Sequence, residues 1–94
     1  MTTTPLACAT VPDSVLFREL DGEAVILNLE TETYFGLNES ATRMWEVVTT
    51  ATSIAAAVDA LIEEYEVDRD ELERDVLEFV ETLRARSLLH VTGD

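Results

Sequence analysis

Lysine does not occur in this 94-residue sequence. Its six basic residues are all arginine and stand against 20 acidic ones, a formal net charge of −14. A chain this acidic repels phosphate backbones from most directions, which argues against general nucleic-acid binding. Anionic membrane surfaces are disfavoured on the same ground. Cysteine occurs once, at Cys8, so an internal disulfide and a multi-cysteine zinc site are both excluded. His90 is the only histidine, and alone near the end of the sequence it is a weak catalytic candidate. Glycine occurs three times, at 22, 36 and 93, too scattered for a phosphate-cradling loop. No apolar run approaches the roughly 20 residues that a membrane span needs. The start, MTTTPLAC, lacks the basic and apolar regions of a secretory signal. A cytoplasmic protein is the expectation.

What the sequence does contain is a strongly patterned single domain. Residues 1 to 13, with four threonines, Pro5 and Pro12, show no periodicity and read as a flexible tail. From Ser14 the pattern alternates: Val15, Phe17 and Glu19 against Leu16, Arg18 and Leu20, a strand partly covered on both faces. Asp21-Gly22 is the dipeptide that suits a two-residue hairpin turn, where both positions need positive φ. A second strand follows with Val25, Leu27 and Leu29 on one face. The polar Glu30-Thr-Glu-Thr33 is the next connection, although it lacks the glycine a tight reversal favours. Tyr34-Phe35-Gly36-Leu37 then supplies a third strand, in which Gly36 suggests a bulge or a close backbone approach.

At Asn38 the period changes from two to 3.6. Asn38 is a good N-cap, and Ala41, Met44, Trp45 and Val48 form the apolar stripe of a first helix. Ser53 caps a second, with Ile54, Val58, Leu61, Ile62 and Tyr65 on its buried face. Asp68 and Glu71 have capping-box spacing at the start of a third, whose stripe is Leu72, Val76, Phe79, Val80 and Leu83 and whose end falls near Arg86. The apolar Leu88 to Val91 covers the core or adds a strand. Three antiparallel strands followed by three helices make an α+β domain of winged-helix-like arrangement over residues 14–91.

Catalytic chemistry is not visible. Eight carboxylates between Glu63 and Asp75 lack the Asp-x-Asp-x-Asp-Gly pattern of a calcium loop and read as a solvated helical face. No nucleophile–base pair is apparent, and no metal or cofactor is expected. A helix-turn-helix reading of DNA would need cations on the third helix, which instead carries an excess of acid. What the pattern does offer is a mode of binding. An extended peptide can add to the edge of the third strand, with its side chains in pockets beside the third helix.

The run EAVILNLETETYFGLNESATRMW, Glu23 to Trp45, resembles the PqqD-like family, the leader-peptide-binding modules called RiPP recognition elements. The resemblance rests on Tyr34, Phe35, Leu37, Asn38, Ala41 and Trp45 in that order. It continues through Glu63 to Val67, Asp75 to Phe79 and Leu88-Leu89, so that it covers nearly the whole domain. It implies a non-catalytic chaperone that holds the leader of a ribosomally made precursor peptide against the third strand and third helix. Such a module delivers the leader to a tailoring enzyme, either a radical SAM protein or, in lasso-peptide pathways, a leader protease and a cyclase. On this chain the implied groove uses Thr33, Tyr34, Phe35, Gly36 and Leu37, with Leu72, Asp75, Val76 and Phe79 opposite, and Leu77 and Leu83 beside them. The alternative is a winged-helix-like protein-interaction or regulatory domain without DNA binding. Exposed strand edges also leave room for a homodimer.

Overall fold

The computed structural model describes residues 5–93. Its strands are β1 (Cys8–Thr10), β2 (Val15–Leu20), β3 (Glu23–Asn28), β4 (Thr33–Leu37) and β5 (His90–Thr92), and its helices α1 (Glu39–Thr50), α2 (Ile54–Ile62) and α3 (Arg69–Ala85). The strands β2, β3 and β4 form an antiparallel sheet in that order, and the three helices follow it in the chain, the α+β arrangement expected.

Local chemistry accounts for most boundaries. Asp21 and Gly22 both have positive φ, 56° and 84°, and join β2 to β3 in a two-residue turn with Leu20 opposite Glu23. The Asn38 side chain accepts the Ala41 N–H at the start of α1, and Ser53 accepts the Ala56 N–H at the start of α2. Asp68 stands at the N-cap of α3 without a side-chain hydrogen bond, so the capping box expected from its spacing to Glu71 does not form. The helix closes instead at its other end. Leu88 N–H donates to the Leu83 carbonyl and Ser87 N–H to the Arg84 carbonyl, with Ser87 at φ 61°. That is a Schellman motif with serine where glycine is usual.

The core lies between the inner sheet face and the helices. Ile26, Trp45, Ile54, Val58, Leu61, Val76, Val80 and Leu83 are all buried, and Phe17 stacks on Trp45 with ring centroids 5.7 Å apart, joining sheet to α1. Val25, Leu27 and Leu29 share one face of the β3 segment as expected, and it is the outward one, burial falling on Ala24, Ile26 and Asn28. Both faces are apolar, so alternation alone could not choose between them. Three expectations need correction. Gly36 pairs in regular register with Val25, without a bulge, and a Cβ there would meet nothing within 4 Å. Tyr65 lies beyond the end of α2 and packs from the following loop. Finally, the segment read as a flexible tail contains a strand: Cys8, Ala9 and Thr10 pair with Thr92, Val91 and His90, and Ala7 and Ala9 are buried. Ala7 and Pro5 carbonyls also accept the N–H groups of Ile54 and Ala55 at the start of α2. Residues 1–4 of that tail lie outside the described residues. The Leu88–Val91 stretch both covers the core, through Leu88 and Leu89, and pairs as β5, with β1 rather than with the main sheet.

Candidate functional site

Strand β4 is bonded to β3 on one side only, and among the described residues nothing pairs with its other edge. Every second residue of such an edge directs its N–H and C=O outward, so the edge can accept another strand. Beside it runs a cleft of about 410 Å³ lined by Phe35 from β4, by Ser40, Ala41 and Met44 from α1, and by Asp75, Glu78, Phe79 and Thr82 from α3. Asn38 borders it at the junction of β4 and α1.

The geometry of α3 explains how one helix builds both core and cleft. Leu72, Val76, Val80 and Leu83 recur at helical spacing and are buried. Asp75, Glu78, Phe79 and Thr82 stand at i, i+3, i+4 and i+7 on the adjacent face. Phe79 is half-buried against the core and also lines the cleft, while Asp75 and Glu78 are exposed at its wall.

Two contacts tie the β4 side to the α3 side at the far end of the helix. The guanidinium of Arg86 lies 5.0 Å from the centroid of the Phe35 ring. Asn28, buried at the end of β3, donates from Nδ2 to the Ser87 carbonyl at 2.6 Å. Its Oδ1 accepts from the N–H groups of Glu30 and Thr31 at 2.9 and 3.3 Å, which shapes the turn into β4. That turn carries Glu32 at φ 59°, a left-handed residue in place of the absent glycine.

The cleft is apolar on its floor, at Phe35, Met44 and Phe79, and acidic on one wall. Neither Asp75 nor Glu78 forms an ion pair among the described residues, so an incoming cation would find both carboxylates available. Elsewhere three arginines are paired with carboxylates, among them Arg43 and Arg84. Arg43 bonds Glu64 through two nitrogens at 2.9 and 2.7 Å, which raises the arginine pKa and holds the Glu64 carboxyl below its ordinary range. Arg84 is likewise raised by its hydrogen bonds to Glu81. Among the described residues no group of three or more His, Cys, Asp or Glu is placed to hold a metal ion, and no helix is long and apolar enough to cross a membrane.

Residues 23–89 match the family described as Coenzyme PQQ synthesis protein D (PqqD). The chain belongs to the PqqD family. A solved structure of TbiB1 in complex with the TbiA(beta) leader peptide superposes on this PqqD-family chain with a TM-score of 0.82. Sequence identity is 36%, and the match covers 90% of this chain and 99% of that one. Lasso peptide synthetase B1, complexed with its leader peptide, gives a TM-score of 0.78 at 24% identity over 87% of this chain and 96% of its own, a likeness of fold. No curated protein matches the sequence at a significant level.

Measured against the expected groove, the PqqD-family structure brings Phe35, Asp75 and Phe79 to one cleft. Thr33 and Leu37 share the inner side of β4 with Phe35, Leu37 being buried, whereas Tyr34 and Gly36 face outward and contribute only backbone to the free edge. Leu72 and Val76, with Leu83, are core residues and do not reach the cleft. Leu77, partly buried against the core, does not line it either. Met44, Ser40, Glu78 and Thr82 line it without having been singled out as site residues. Phe79 beside Val80, two large apolar residues where a stripe needs one, was the available signal for a second face.

Proposed function

We infer that this PqqD-family protein is a non-catalytic chaperone for the leader segment of a ribosomally synthesised precursor peptide. The leader adds as a strand to the free edge of β4, across the segment Thr33, Tyr34, Phe35, Gly36 and Leu37, and gains main-chain hydrogen bonds there. Its inward side chains enter the cleft against Phe35, Met44 and Phe79, and a basic residue meets Asp75 and Glu78. Leu72 and Val76 act from behind, as the packing that fixes Phe79 and Asp75 in place. The bound leader is then presented to a tailoring enzyme, a leader protease and cyclase or a radical SAM protein.

The observation that carries this reading is the coincidence of an unpaired strand edge with an apolar, acid-walled cleft. It is supported by the leader-bound state of TbiB1, which is 36% identical over 90% of this chain. The test is fluorescence anisotropy with labelled leader peptides from the precursor genes beside this one, with a scrambled peptide as control. Phe79→Asp places a charge in the apolar floor and should weaken the cognate leader by roughly 30-fold or more, the loss typical of a central anchor. Because Phe79 also touches the core, circular dichroism must show the variant folded. Met44→Asp, on the cleft floor but on a different helix, provides the second arm. Leader affinity unchanged in both folded variants would place the binding site elsewhere.

A further inference from the structure

The ring of Phe35, on the cleft side of β4, carries a cation. Arg86, the C-cap residue of α3, is exposed and holds its guanidinium over that ring, 5.0 Å from the centroid. A guanidinium engaged by its face keeps the N–H groups on its edge free to donate. In a chain with 20 acidic residues a carboxylate is the ordinary partner for such a group. Arg43, Arg69 and Arg84 each have one, but among the described residues Arg86 forms no ion pair. Helical spacing puts it beside the cleft. Asp75, Phe79 and Thr82 stand at i, i+4 and i+7 along the cleft wall, and Arg86 follows at i+11, extending that face by a turn. Arg18 and Arg74 also form no ion pair among the described residues, but Arg18 lies on β2 and Arg74 does not line the cleft.

Charge along the wall is thus divided by sign. Asp75 and Glu78 border the cleft together with Asn38, which follows the Leu37 end of β4. Arg86 stands toward the opposite end of the strand, because Asn28, the partner of Thr33, donates to the carbonyl of the next residue, Ser87. Glu78 and Arg86 are eight residues apart, about 12 Å along a helix axis. Four residues of extended chain cover about 13 Å. Four is an even step, so two side chains at that spacing point to the same side of an added strand.

We propose that Arg86 selects the leader by an acidic side chain. An aspartate or glutamate of the bound leader accepts from the guanidinium while the latter stays on Phe35, and a lysine or arginine about four positions away meets Asp75 and Glu78. The proposal rests on the leader-binding reading above and names the charge pattern that the cleft takes. A net charge of −14 repels an acidic side chain over most of the surface, so Arg86 offers it one favoured place along β4. That place fixes the register of the added strand. A leader with the two charges exchanged brings like charges together at both ends, and this rejection is what makes the site specific.

The experiment is fluorescence anisotropy on the full chain with the labelled leader of the neighbouring precursor gene. Leader variants in which each aspartate or glutamate in turn becomes arginine complete the set. Arg86→Glu, at an exposed position, should bind the parent leader roughly tenfold more weakly while circular dichroism shows it folded. One carboxylate-to-arginine leader should bind the parent chain roughly tenfold more weakly, yet bind the Arg86→Glu chain about as well as the parent pair binds. A bridge that merely props Phe35 against α3 would produce no such recovery. Arg86→Gln, which removes the charge and keeps a polar group, is the second arm, with a loss of roughly threefold or more and a weaker dependence on salt. Leader affinity within about twofold of the parent in a folded Arg86 variant overturns the proposal. So does a loss that no exchanged leader restores, or a cognate leader without a carboxylate. Failure of every leader to bind the parent chain would instead sink the leader-binding reading, and the proposal with it.

Discussion

Among the described residues Asn28 is the one buried side chain that hydrogen-bonds both the turn before β4 and the end of α3, and its removal has a calculable effect. Asn28→Ala deletes the 2.6 Å bond to the Ser87 carbonyl and the two bonds that Oδ1 accepts from Glu30 and Thr31. The turn amides sit at the surface, where water replaces the lost acceptor at little cost, while the Ser87 carbonyl loses a short and partly buried partner. A net loss of about 2 kcal/mol follows. For a domain of this size that lowers the melting temperature by roughly 8–16 °C. Asn28→Asp isolates the Ser87 bond, because the carboxylate retains both acceptor roles but turns a negative oxygen toward the carbonyl. Near neutral pH it should cost about as much as the alanine variant. The introduced carboxyl has its folded pKa raised above the unfolded value of about 3.9 by that oxygen, so the penalty is complete above the folded pKa. It fades as pH falls through that value and the protonated acid donates to Ser87. Thermal melts of parent and variant, compared at matched pH, read the difference directly. An Asn28→Asp protein as stable as the parent at neutral pH would refute the claim that this bond holds the two sides of the cleft together.

Other expectations follow from the same geometry. Ser87 holds a left-handed conformation at φ 61° in the Schellman motif, so Ser87→Gly should raise stability by about 1 kcal/mol, roughly 4–8 °C in melting temperature. No gain in thermal melts would mean that the motif is not strained. The Arg43–Glu64 pair holds Glu64 below its unfolded pKa, so its contribution is present above about pH 4 and is lost as pH falls through the folded value. Glu64→Gln should accordingly melt slightly below the parent at neutral pH and together with it in strong acid. A gap that widens on acidification would contradict the assignment.

Much of the fold was legible because short-range chemistry decides it. Asp21-Gly22 specifies a turn with two positive φ values, Asn38 and Ser53 are caps with polar side chains at the right place, and the stripes of α1, α2 and α3 need only helical spacing. The β1 strand was hidden for the opposite reason. Three residues without alternation pair with a partner some 80 positions away, and only the assembled core decides that Ala7 and Ala9 are buried. The hairpin faces were ambiguous because Val25, Leu27 and Leu29 are as apolar as Ala24 and Ile26, and the buried face even carries the polar Asn28. The candidate site was half legible. Phe35, Asp75 and Phe79 were identified and do meet, but Leu72 and Val76 were attributed to the groove since a stripe does not reveal which part of it faces neighbours and which faces a cleft. Met44 was read as core for the same reason.

A leader chaperone must hold its peptide at the free edge of β4 and in the cleft beside it. An amide-resolved NMR titration of the labelled chain with leaders from adjacent precursor genes, a scrambled peptide and a DNA duplex tests that directly. Expected are shifts from one leader only, concentrated at Thr33–Leu37 on β4, at Met44, and at Asp75, Glu78, Phe79 and Thr82 on α3. Shifts confined to the outer face around Leu16 and Val25, or silence toward every leader in a folded sample, would contradict the chaperone reading.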